Sequence, residues 1–182
     1  MDDRSDHTLV DALNRGDVSA FNALYFRYRD WVVRLAARFT GHEDDALDVL
    51  QETFSYVFRK FPGFRLTASM TTFLYPVVKN LSIAAKRKRM RMASSDALET
   101  PEPAAPVPVN PARQRGELAE VLAALPEGQR EVLLMRFVDG MSLQEIAAAA
   151  GIPEGTVKSR IHNAIATLRQ DELARRYFLP EN

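Results

Sequence analysis

The chain has 182 residues, of which 46% are apolar, and this length allows one medium domain or two small ones. It contains no cysteine, which excludes disulfides, thiol catalysis and cysteine-based zinc sites, and its three scattered histidines form no ligand pattern. We recognise no nucleophile–base pair, metal-ligand cluster or phosphate-binding glycine loop, so we expect no enzyme activity, no cofactor, no metal and no small-molecule substrate.

The formal net charge is zero, but the charges are segregated along the chain. Five acidic residues and no Lys or Arg occupy the stretch from Glu43 to Glu52. Residues 53–95 then hold nine Lys and Arg and no acidic residue. An acidic surface and a separate cationic surface suit a protein that bridges a protein partner and DNA.

No segment of the sequence points to a membrane. The N-terminus is polar and has no hydrophobic run behind it, and no apolar stretch approaches the length of a bilayer span. We therefore expect a cytoplasmic protein with no direct membrane insertion.

Apolar residues at helical spacing predict four helices over about residues 5–92. The first helix ends near Gly16, and the second, capped by Asp17, ends before Gly41. The third helix is expected over about residues 43–61.

A connecting loop over residues 64–68 leads to the fourth helix, which begins near Ser69 and ends in the basic run from Lys86 to Arg91. Pro76 lies inside this helix. Because proline lacks an N–H, it removes one backbone hydrogen bond and predicts a kink or a locally irregular turn.

Residues 93–112 differ in composition from the rest of the chain. They hold five of the ten prolines and no Lys, Arg or aromatic residue. This composition favours extended polyproline II over helix. We interpret the segment as a linker between a helical domain at 1–92 and a second domain at 113–182, with a long surface loop as the alternative.

The second domain is predicted to contain four helices, the last two of which form a helix-turn-helix over residues 142–169. Ser142 and Glu145 have the spacing of a capping box, and Gly151 is placed to end the first helix of the pair. Pro153 suits the opening of the second helix.

The last helix has one apolar side and one polar side. The apolar side consists of Val157, Ile161, Ala164 and Leu168. The opposite side is polar and has basic residues beside it, as a reader of the DNA major groove requires. An ordinary amphipathic helix pair with a solvated face is the alternative. The candidate DNA contacts are Thr156, Lys158, Ser159, Arg160, His162 and Asn163.

Two motifs together resemble a known family. The first runs from Asp45 to Phe54 and reads Asp-Ala-Leu-Asp-Val-Leu-Gln-Glu-Thr-Phe; the second is Gly-Thr-Val-Lys-Ser-Arg at 155–160. In this order and spacing they resemble bacterial RNA polymerase sigma factors of the extracytoplasmic-function (ECF) group of the sigma-70 family. The resemblance covers nearly the whole chain and implies an all-α fold with a region 2-like domain and a region 4-like helix-turn-helix domain.

The resemblance assigns roles to individual residues. It implies a face that docks on core RNA polymerase, and the alternative is a solvated acidic helix face. That face comprises Asp45, Asp48, Gln51, Glu52 and Phe54. It also implies contact with the minus-ten promoter element, where an extruded base meets aromatic and amide groups and cations hold phosphates. These residues are Phe64, Arg65, Phe73, Lys79, Asn80, Lys86, Arg87, Lys88 and Arg89.

The polar side of the last helix is assigned in the same way to the minus-thirty-five promoter element, and an anti-sigma protein is the expected inhibitor. Some positions depart from the family pattern. Phe73 replaces the usual tryptophan, and Ala84 replaces a common aspartate. Asn163 and Ile165 stand where arginines are frequent, which reduces the phosphate-binding charge.

We therefore expect a sigma factor that binds core RNA polymerase, recognises promoters and promotes transcription initiation. Two alternatives belong to other classes. A sigma-like decoy would titrate an anti-sigma factor, but it usually accompanies a sensory domain. A polymerase-independent helix-turn-helix regulator would leave the acidic residues 44–52 unexplained.

Overall fold

The computed structural model describes residues 2–95 and 120–171, and every regular element in these ranges is a helix. The helices are α1 (Asp6–Asn14), α2 (Val18–Thr40), α3 (Glu43–Phe58), α4 (Met70–Ser95), α5 (Glu127–Phe137), α6 (Leu143–Ala150) and α7 (Glu154–Gln170). A short helical segment at 120–123 precedes α5. None of the described helices combines the length and hydropathy that crossing a bilayer requires.

The chain divides into two compact units between residues 100 and 101. The fourth helix continues to Ser95, three residues into the segment that we expected to be a linker. Ala and Ser are compatible with a helix end, and the first proline comes only at position 101. The remainder of the expected linker lies outside the described residues.

Local sequence signals set the helix ends of the first unit. Asp17 caps α2 by accepting a hydrogen bond from the N–H of Ser19 at 3.0 Å, and Gly41 ends this helix in the left-handed conformation (φ 70°). The third helix ends at Phe58, three residues earlier than expected. The N–H groups of Lys60 and Phe61 bond to carbonyls three residues back, which tightens the turn ahead of Pro62.

The first core forms where α2 packs against both α3 and α4. Leu24 and Leu35 of α2 are fully buried, as are Val49 of α3 and Val78 of α4. The fourth helix is continuous through Pro76, so the missing hydrogen bond does not end it.

The second unit contains the expected helix-turn-helix. Ser142 and Glu145 form a complete capping box, and Gly151 ends α6 in the left-handed conformation (φ 66°). The buried cluster of Leu125, Leu133 and Ala164 packs against partly buried apolar residues of α7. Those residues are Ile161, Ile165 and Leu168.

Candidate protein and nucleic-acid interfaces

The exposed side of α3 carries acids and amides. Asp48, Gln51 and Glu52 are all exposed, as expected for a contact face. Leu47 lies beside Asp48 and is 46% exposed, so this acidic face includes one apolar side chain. The face is therefore amphipathic, which suits a protein partner more than it suits nucleic acid.

Two residues of the expected docking set turn inward. Phe54 is 5% exposed, and its ring packs edge-on against those of Tyr25 and Phe21 at 4.9 and 6.0 Å. The carboxylate of Asp45 forms an ion pair with Arg89 of α4, with 3.3 Å between Oδ2 and Nε. Phe54 is a core residue, and Asp45 joins α3 to α4.

An open groove of about 800 Å³ lies between α3 and α4. Its lining comes from one side of each helix. Gln51, Glu52, Ser55 and Tyr56 belong to α3, which Arg59 directly follows, and Phe73, Pro76, Val77, Asn80 and Leu81 belong to α4. The groove thus brings together residues from two sets that the sequence assigned separately. Glu52 and Gln51 belong to the polymerase set, whereas Phe73 and Asn80 belong to the minus-ten set.

Two of the side chains that line this groove, Tyr56 and Phe73, are aromatic. The ring of Phe73 lies 4.7 Å from that of Phe64 and 6.4 Å from that of Tyr56, with which it is stacked at 23°. The ammonium of Lys60 stands over the Tyr56 ring at 4.8 Å. An aromatic surface with a cation nearby has the chemistry needed to hold an unstacked base beside its phosphate.

The cations of the minus-ten set fall into two groups. Arg65, Lys86, Arg87 and Lys88 are exposed. By contrast, the Lys79 ammonium lies 5.8 Å from the centre of the Phe39 ring. The Nη2 of Arg89 donates to the carbonyl of Thr40 at 3.1 Å, in addition to the ion pair with Asp45. Arg89 is therefore engaged with the corner between α2 and α3.

The last helix presents the side chains that its periodicity predicts. Val157 and Ala164 are fully buried, while Ser159, His162 and Asn163 are exposed on the opposite side. Thr156 is partly buried, and its backbone carbonyl accepts a hydrogen bond from the Ser159 hydroxyl at 3.0 Å. Lys158 is exposed and forms an ion pair with Glu154 on the same helix at 2.8 Å.

Arg160 differs from the other candidates on α7 because it is half-buried. Its guanidinium packs against Gly128 in the first turn of α5. A Cβ at position 128 would lie 3.0 Å from Nη1 of Arg160, so the lack of a side chain at Gly128 makes this contact possible. Arg160 therefore joins the two helices α5 and α7.

Tyr56, Arg59 and Asn14 were not among the residues predicted from the sequence. Tyr56 and Arg59 continue the side of α3 that carries Glu52 at helical spacing, and this spacing is a signal that identifies them. Asn14 is different, because it hydrogen-bonds to Gly63 and Phe64, and no local pattern announces that contact.

Comparison with known proteins identifies both units. Residues 24–92 match the family model of Sigma-70 region 2, and residues 115–168 match that of Sigma-70, region 4. The ECF RNA polymerase sigma-E factor of Salmonella typhimurium is 31% identical over 173 residues, covering 88% of this chain and 90% of the relative.

Solved structures show the same fold. CnrH, solved in complex with the cytosolic domain of CnrY, has a TM-score of 0.69 at 25% identity and covers 92% of this chain and 96% of its own. The sigma factor RpoE of Bartonella quintana, solved with the anti-sigma factor NepR, has a TM-score of 0.60 at 24% identity and covers 82% and 94%. The chain belongs to the ECF sigma factors, the RNA polymerase subunits that recognise promoters.

Proposed function

We propose that the exposed side of α3 docks on core RNA polymerase and that the groove between α3 and α4 holds unpaired DNA of the minus-ten element. The carrying observation is that Gln51 and Glu52 line the same groove as Phe73 and Asn80. Docking and DNA capture then use residues of the same groove, so polymerase and opened promoter meet at one place.

The docking contact consists of Asp48, Gln51 and Glu52, with Leu47 as its apolar element. A cluster of carboxylates fits a basic partner surface and sets the rate and orientation of association. Asp45 and Phe54 contribute indirectly, because the first ties α3 to α4 and the second supports α3 from the core.

The minus-ten contact divides into base and phosphate contacts. Phe64 and Phe73 offer stacking surfaces, and the Asn80 amide offers both a donor and an acceptor to a base edge. Arg65, Lys86, Arg87 and Lys88 hold the DNA backbone by neutralising phosphates, which positions the strand without reading its sequence.

The minus-thirty-five contact uses the exposed side of α7. Ser159, His162 and Asn163 face outward, and an asparagine amide can pair with an adenine edge in the major groove. Thr156 and Lys158 flank this side, while Arg160 orients α7 against α5.

The cellular setting follows from the partner. We infer that the protein works in the cytoplasm as an initiation factor without catalytic chemistry of its own. We also infer an anti-sigma regulator that covers the polymerase-facing surface, in keeping with the complex of the related RpoE with NepR.

Charge reversal of the docking face tests this proposal. In Asp48→Lys/Glu52→Lys, core polymerase binding and specific run-off transcripts from genomic DNA fragments should both be lost, because both acids contact the basic partner. Both residues are exposed, so the unfolding temperature should stay close to that of the wild type.

A matched control changes the charge by the same amount elsewhere. Asp11 and Asp30 are exposed acids on α1 and α2, and Asp11→Lys/Asp30→Lys should retain both binding and transcription. Equal loss in both double variants would mean that net charge, and not the α3 face, governs the association.

A further inference from the structure

A single side chain joins α1 to the loop that carries the first minus-ten residues. The Nδ2 of Asn14 donates to the carbonyl of Phe64 at 2.7 Å, and its Oδ1 accepts from the N–H of Gly63 at 2.7 Å. The amide therefore pairs with the loop backbone on both of its edges, across about 50 positions of sequence.

These backbone groups lie outside any helix. Gly63 has φ of 102°, a conformation that favours glycine, so the chain turns sharply immediately before Phe64. Such a turn has no ladder of backbone hydrogen bonds to fix it, and the Asn14 amide fixes it instead. The Phe64 ring then lies 4.7 Å from the ring of Phe73, which lines the groove.

The helix that carries Asn14 is itself held firmly. Leu9 and Leu13 of α1 are buried. From α2, Arg27 forms an ion pair with Asp6 at 2.6 Å and donates to the backbone carbonyls of Asp2 and Arg4 at 2.8 Å. Hydrogen bonds from the Arg4 guanidinium lower the pKa of Asp2 from 3.8 to about 2. Asn14 therefore lies on a helix whose position is fixed by these contacts.

We propose that Asn14 is a positioning residue for minus-ten recognition: it sets the backbone of Gly63 and Phe64 so that Phe64 and Arg65 meet unpaired promoter DNA. This inference rests on the function proposed above. Asn14 acts through the loop backbone and does not itself touch DNA. An amide is required because the site pairs with one donor and one acceptor, whereas an aspartate would place a carboxylate against the Phe64 carbonyl.

The test compares full-length variants assembled with core polymerase. The probe is a single-stranded DNA that carries the non-template minus-ten sequence of a promoter used by the wild type in run-off transcription. Asn14→Ala and Asn14→Asp should weaken binding of this probe about tenfold or more, because the contact loop loses its geometry. Affinity for core polymerase should be unchanged, since α3 keeps its exposed face.

Two controls separate positioning from general stability. Asn22→Ala removes an exposed asparagine from α2 and should bind the probe as the wild type does. Leu13→Ala removes buried side-chain volume from α1 but leaves Asn14 in place, so it reports the effect of lowering the unfolding temperature alone. If Leu13→Ala loses as much probe affinity as Asn14→Ala at an equal loss of unfolding temperature, the positioning role is overturned.

A third variant distinguishes the two proposals. Phe64→Ala/Arg65→Ala removes the side chains that are meant to contact the probe. If this variant binds normally, the minus-ten assignment itself fails. If it binds weakly while both Asn14 variants bind normally, only the role of Asn14 is refuted.

Discussion

At the scale of single residues, two glycines occupy equivalent places with different surroundings. Helices α5 and α7 both open with Pro-Glu-Gly, at 126–128 and 153–155, and each glycine is the second residue of its helix. A Cβ at Gly128 would lie 3.0 Å from the guanidinium of Arg160, whereas a Cβ at Gly155 would meet nothing within 4 Å. Comparing substitutions at the two glycines therefore measures the contribution of the contact between Gly128 and Arg160.

Alanine substitution at these positions should have unequal effects. Gly155→Ala should raise the free energy of unfolding by a few tenths of a kcal/mol and at most about 1 kcal/mol, because alanine loses less backbone entropy in a helix. Gly128→Ala should gain less or lose stability, since the new methyl displaces the Arg160 side chain. Denaturant unfolding of both variants measures the difference, and equal gains would show that the Arg160 contact contributes nothing.

At the scale of helices, the basic end of α4 combines two roles. Lys86, Arg87 and Lys88 are exposed, whereas Arg89 is bound to Asp45 and to the C-terminal end of α2. A cation at a helix C-terminus is favoured by the helix dipole, so Arg89 stabilises the corner where α2, α3 and α4 meet. Lys86, Arg87 and Lys88 are then available for phosphates.

Replacing the exposed cations and replacing Arg89 should therefore give different results. The triple variant Lys86→Ala/Arg87→Ala/Lys88→Ala should reduce the slope of log K against log salt for promoter binding by about 0.7 to 0.9 per lost phosphate contact. Arg89→Ala should leave this slope nearly unchanged and lower the unfolding temperature. A salt slope that falls as much in Arg89→Ala as after any one exposed substitution would place Arg89 on the DNA.

The helices were largely predictable because their signals are local. The capping box at Ser142, the stop at Gly151 and the apolar side of α7 each depend on residues within a few turns of one another. The contacts that shape the site are not local. Asn14 reaches Phe64 across 50 positions and Asp45 reaches Arg89 across 44, and only the packing of whole helices determines such pairs.

The dependence of contacts on helix packing also explains why Phe54 and Arg160 lie in surroundings that their sequence motifs do not predict. Phe54 belongs to the apolar stripe of α3 as much as to the family motif, and packing against Tyr25 determines which role its ring takes. Arg160 has the charge of a DNA contact, but a glycine on α5 makes room for it there. Charge and spacing in the sequence predict on which side of its helix a residue lies. The neighbouring helices determine what its side chain contacts there.

At the scale of the whole molecule, the chain consists of two compact units that match two separate sigma regions. Each unit has its own buried residues, among them Leu35 in the first and Ile146 in the second. Because promoter recognition by two elements needs two DNA-binding domains, this division is what the function requires.

Leu35→Ala and Ile146→Ala should each destabilise one unit by about 2–5 kcal/mol, the usual cost of removing a large buried aliphatic side chain. Since the two positions belong to different units, their effects should be independent, and the double variant should show the sum of the two losses within about 0.5 kcal/mol. Denaturant unfolding monitored by Trp31 fluorescence reports the first unit, and helical circular dichroism reports both. Ile146→Ala should leave the Trp31 transition in place. A shift of that transition would show that the two units unfold together as one cooperative domain.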